Sequence, residues 1–131
     1  MASFAPAPAT LVRTVAEGTD SPIQERLEIV VRTSDEWRTL WNRFAPGRAL
    51  PAVDFAQEMI VGVFLDRRPR EGCVVEVVSV AREDANIVVR YREHLPGRQS
   101  PPGATAPYLL VAIPRDRRPV RFIQDVRADA P

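Results

Sequence analysis

The chain has 131 residues, a length that suits one domain with its own core. Apolar residues make up 45% of it, which excludes an intrinsically disordered chain. The net charge is +1, with acids scattered among 18 basic residues that are all arginine, so a broad basic field for nucleic acid is excluded.

Residues 1–20 read as an extended N-terminal arm, rich in Ala and Pro at its start, with one short strand in "TLVRTV". "MASFAPAPATLV" has neither a charged start nor a long apolar run, so it is not a signal peptide as it stands. No stretch is long and apolar enough to span a membrane, and the compartment stays open. Residues 21–131 read as a single domain. "GTDSP" is turn chemistry. "RLEIVVR" alternates as a half-buried strand, with Leu27, Ile29 and Val31 on one face and Glu28, Val30 and Arg32 on the other.

The period then changes. Trp37, Leu40, Trp41 and Phe44 fall at i, i+3, i+4 and i+7, the stripe of a helix over 34–44. Thr33 and Glu36 form a capping box, Asp35 suits the positive helix end, and "APGR" with Gly47 stops the helix. "MIVGVFL" is apolar on both faces, as a central strand is. "CVVEVVSVA" follows, and "REDA" is a short hairpin loop. "NIVVRYRE" puts Ile87, Val89 and Tyr91 inward and Val88, Arg90 and Arg92 outward. "YLLVAI" and "PVRFIQDV" are two further strands. The pattern predicts a mainly β domain, a sandwich or partly open barrel of six to seven antiparallel strands with one helix, and α+β is the alternative.

The letters DRRP occur twice, at 66–69 and 116–119. If residues 59–125 run as consecutive antiparallel strands, connections alternate between the two ends of the sheet. The DRRP loops then lie at opposite ends. Loop 66–72 instead shares an edge with the proline-rich loop 94–107, which is long enough to suggest a functional role.

Candidates for chemistry are few. Cys73 and His94 are the only residues of their kind, so a thiol–imidazole pair is one reading, without a motif behind it. One cysteine allows no intrachain disulfide. Asp54 and Glu58 read as a turn and strand entry, and Trp37 and Trp41 as core. No nucleophile elbow, phosphate-cradling glycine loop or aromatic–arginine interleaving is present, so the sequence calls for no cofactor, no metal and no nucleic acid.

The run from "VDF" to "VRFI" resembles the PrcB C-terminal domain family, whose members associate with bacterial protease complexes. The matching residues are Val53-Asp54-Phe55, Arg68-Pro69, Gly72, Pro96, Pro107-Tyr108 and Ile113-Pro114, and "SDEWRTLW" resembles the helix often found before them. The likeness covers roughly residues 20–125. Asp66 stands where members often have glycine, and Arg70-Glu71-Gly72-Cys73 where they often have Thr-Gly-Gly-Tyr.

The resemblance implies a non-enzymatic, protein-binding accessory domain, with a protease or other assembly as partner. The same loop is similar to one in chagasin-type inhibitors, which makes direct protease inhibition the alternative and a Cys/His hydrolase a lower one. The candidate partner-binding residues are Arg67, Arg68, Pro69, Arg70, Gly72, His94, Pro96, Arg98, Pro102 and Tyr108. The oligomeric state stays open, with "VVRYR" as the edge strand through which copies would pair.

Overall fold

"MIVGVFL" and "YLLVAI" are apolar at nearly every position, so each must be covered on both faces. The computed structural model, which describes residues 12–70, 72–95, 102–125 and 128–129, meets that need with three layers. The elements run β1 (Arg13–Gly18), β2 (Leu27–Val31), α1 (Ser34–Phe44), β3 (Glu58–Phe64), β4 (Arg68–Arg70), β5 (Val74–Glu83), β6 (Asn86–Leu95), β7 (Pro102–Thr105), β8 (Tyr108–Pro114), β9 (Val120–Gln124) and β10 (Ala128–Asp129).

The first sheet has the order β1-β8-β3-β2 and is antiparallel throughout. In the second, β6 is central: β5 pairs with it antiparallel on one side, and β9 and then β10 pair with it parallel on the other. β4 and β7 form a separate two-stranded antiparallel ribbon.

Period-two alternation divides the two central strands between two cores. Ile60 and Phe64 of β3, with Tyr108, Leu110 and Ala112 of β8, face the helix residues Trp37, Leu40, Trp41 and Phe44. Met59, Val61, Val63, Leu109, Val111 and Ile113 face Val75, Val80, Ile87, Val89 and Tyr91 of the second sheet. The molecule is a β-sandwich with α1 on the outer face of its first sheet. Gly62 sits where Leu110 and Ile29 press closest: a Cβ there would lie 2.4 Å from Leu110 Cδ2 and 3.1 Å from Ile29 Cγ2.

The helix follows its sequence signals. Thr33 accepts from the Glu36 amide, and the Glu36 carboxylate accepts from the Thr33 amide. Gly47 takes a φ of 81° just beyond the helix end. The indole N–H groups of Trp37 and Trp41 donate to the carbonyls of Pro51 and Arg48, so both rings are buried without an orphan donor. Phe44 meets Tyr108 edge-on at 4.6 Å between centroids. Among the described residues no helix is long and apolar enough to cross a membrane.

The seven strands expected from the sequence all form, and among the described residues β4, β7 and β10 add three short pieces with no apolar alternation. β1 pairs with β8, so the short strand expected in residues 1–20 is part of the first sheet. Several expectations need correcting. "VVRYR" lies in central β6, flanked on both sides, and is no edge. β9 is parallel to β6 because the chain crosses from the first sheet to the second after β8. Val88, expected outward, is 1% exposed. The opposite face of β2 is also covered: Val30 packs into the inter-sheet core.

Candidate functional site

The first DRRP segment leaves the first sheet after Phe64 and enters the ribbon. There Arg68 lies opposite Thr105 and Arg70 opposite Pro102, so loops 66–72 and 94–107 do meet at one end of the sandwich. The Leu65 amide donates to the Pro107 carbonyl at 2.9 Å, which closes the base of the ribbon. Gly72, with a φ of 95°, turns the chain into β5 by a conformation that other residues rarely adopt.

Arg68 does not reach out from this loop. Its side chain is 14% exposed and holds the Glu93 carboxylate, which is 0% exposed, through Nε to Oε2 at 2.6 Å and Nη2 to Oε1 at 3.0 Å. Its Nη1 donates to the backbone and side chain of Asp66. The hydrogen bond to Glu93 comes first in holding Arg68 charged, and burial opposes it. The hydrogen bond from Arg68 holds the Asp66 carboxyl below the usual range. Arg68 is therefore a clamp between ribbon and sandwich, not an exposed contact. The sequence held a signal for this: Glu93 continues the inward phase of Ile87, Val89 and Tyr91, and a carboxylate at a core position needs a cation.

The other candidates lie in different settings. Tyr108 is buried in the helix-side core, stacked on Phe64 at 5.9 Å, so it is no surface contact. His94 stands beside Glu76, with Nε2 and Oε1 2.6 Å apart, on the outer face of the second sheet. Cys73 is buried just before β5, next to exposed Val74, the residue paired with His94. Cys73 is thus buried while His94 engages Glu76 on the outer face. Arg67 is exposed and has no ion pair or hydrogen bond among the described residues. Pro69, Arg70 and Pro102 enter only as ribbon backbone, while Pro96 and Arg98 lie outside the described residues.

The second DRRP segment lies at the far end, beside Glu58 and Pro114. It repeats one local device of the first: Asp116 holds Arg118 at 2.8 Å, as Asp66 holds Arg68 two residues on. Asp116 also takes Arg82 at 3.0 Å and the Arg118 amide at 2.9 Å. Burial pushes its carboxyl up, but the Arg118 amide and the two guanidinium charges outweigh that and leave it below the usual range. Arg32 fixes the loop from β2's end by donating to the Asp116 and Arg118 carbonyls.

A third polar cluster, which the sequence reading missed, ties the sheets together. The Tyr91 hydroxyl donates to Glu28 of β2 and accepts from Arg26, which also reaches Gln124. Among the described residues no group of three His, Cys, Asp or Glu side chains is placed to hold a metal. No family model, curated protein or solved structure matches the chain.

Proposed function

We propose that this chain is a protein-binding domain without chemistry of its own, an accessory or stabilising subunit of a larger assembly, and that it docks through the ribbon end. The resemblance of its sequence to PrcB-like domains makes a protease complex the favoured assembly. The observation that carries the reading is the Arg68–Glu93 clamp. It ties the ribbon to the sandwich, so the loop meets a partner already ordered and loses little entropy on docking. Arg67 is left exposed beside it, with a planar fork suited to carboxylates and aromatic faces.

Capture from a bacterial lysate with wild type and an Arg67→Ser/Arg70→Ser variant tests the reading. Arg68 stays in place, because its loss would disturb the fold. A protein retained by wild type and lost with the variant supports docking at this end. Direct protease inhibition is distinguished by a dose-dependent fall in peptidase activity on adding the domain.

A further inference from the structure

The end of the sandwich opposite the ribbon carries an open concavity of about 730 Å³, lined by Ala56, Gln57, Arg115, Asp116, Arg117 and Arg118. That volume falls in the range of small-ligand clefts, about 300–1,000 Å³, but such clefts are mostly apolar and this one is arginine-lined. The carboxylates around it are already engaged. Asp116 accepts from Arg118 and Arg82, Glu58 from Arg13 at 2.8 Å, and Asp54 from the Ala56 amide at 3.0 Å. The cations are not matched in turn. Arg117 is exposed and has no ion pair or hydrogen bond among the described residues. Arg115 is exposed and spends one nitrogen on the Phe55 carbonyl at 3.2 Å. Arg118 keeps 42% of its side chain in solvent despite its pairing.

The loop that bears them is held. Arg32 bonds two of its carbonyls, the Arg115 amide donates to the Gln57 carbonyl at 2.9 Å, and the Ile87 amide donates to the Pro119 carbonyl at 2.9 Å. The guanidinium groups are therefore offered from a fixed backbone, and Gln57 adds an amide that can both donate to and accept from a peptide bond.

We infer that this concavity is a binding site for an acidic peptide segment, with Arg115 and Arg117 taking two of its carboxylates. Guanidinium forks pair with carboxylates bidentately. A nucleic acid fits less well: no aromatic side chain lines the concavity to stack a base, and the chain's net charge is only +1. The site is independent of the ribbon end, which lies across the molecule.

The test is fluorescence anisotropy with labelled hexaglutamate, hexaglutamine and single-stranded oligothymidylate at low salt, on the full chain. Wild type is expected to bind hexaglutamate, not hexaglutamine. Arg115→Ser/Arg117→Ser is expected to weaken that binding about ten-fold or more, and added salt to weaken it further. Arg67→Ser, at the opposite end, is expected to leave it unchanged. Absent binding, or equal loss with Arg67→Ser, overturns the site in favour of diffuse surface charge. Tighter binding of oligothymidylate with the same dependence on Arg115 and Arg117 overturns the peptide assignment.

Discussion

Arg68 and Glu93 come together from a loop and a strand that the chain separates by 25 residues, and their two hydrogen bonds of 2.6 and 3.0 Å lie at the mouth of the inter-sheet core. A buried carboxylate is costly unless a cation and donors meet it. Arg68→Ala is therefore expected to destabilise the fold by roughly 3–5 kcal/mol, because it removes a two-bonded cation from a fully buried carboxylate. Replacing both partners, as Arg68→Met/Glu93→Leu, is expected to recover most of that loss. Urea unfolding of the three proteins checks it. A single variant as stable as wild type would show that Glu93 does not depend on the clamp.

The helix cap gives a smaller and cleaner effect. Thr33→Ala removes the acceptor for the Glu36 amide at 3.2 Å and leaves one N-terminal amide without its partner. The expected loss is about 1 kcal/mol, read from the urea midpoint with an unchanged slope.

Gly62 tests how tightly β3, β8 and β2 close on the helix side. An added methyl would meet Leu110 Cδ2 at 2.4 Å inside a filled core. Gly62→Ala is expected to cost about 1–3 kcal/mol, and Leu110→Val in the same chain to relieve part of it. Thermal unfolding of the single and double variants reads the coupling directly.

Both tyrosines of the chain have phenols pushed up, Tyr91 and Tyr108 alike, with burial as the first cause. For Tyr91 the hydrogen bond to Glu28 pushes in the same direction. A folded pKa above the unfolded value of about 10 favours the folded state while the phenol stays protonated. That contribution is fully present below pH ~10 and is lost as pH rises through the folded value. Tyrosinate absorbance of the folded protein is therefore expected to rise at higher pH than that of the urea-unfolded chain. Half-titration near pH ~10 without unfolding would contradict the burial of both rings.

The helix was legible because its signals are local: Thr33, Glu36 and the Trp37–Phe44 stripe lie within one short segment. The two central strands were legible because a strand covered on both faces has to be apolar throughout. What sequence reasoning missed depends on distant pairing. β9 lies parallel to β6 only because the chain changes sheets after Pro114, and no residue near 115–119 encodes that choice. "VVRYR" looks like an edge because its arginines alternate outward, yet β5 and β9 flank it. Arg68 read as a surface contact because a charged loop is ordinarily solvated, whereas its fate was written 25 residues later, in the inward phase of Glu93. Tyr108 followed Pro107 out of a loop and read as part of it, but its phase along β8 already placed it with Leu110 and Ala112.

Docking at the ribbon end is tested by capture of partners from a bacterial lysate by wild type and by Arg67→Ser/Arg70→Ser, with urea unfolding of both baits to establish equal stability. The expected result is a defined protein held by wild type, lost with the variant, and part of a proteolytic or comparable assembly. The same proteins on both baits, or none on either, would contradict docking at the ribbon end.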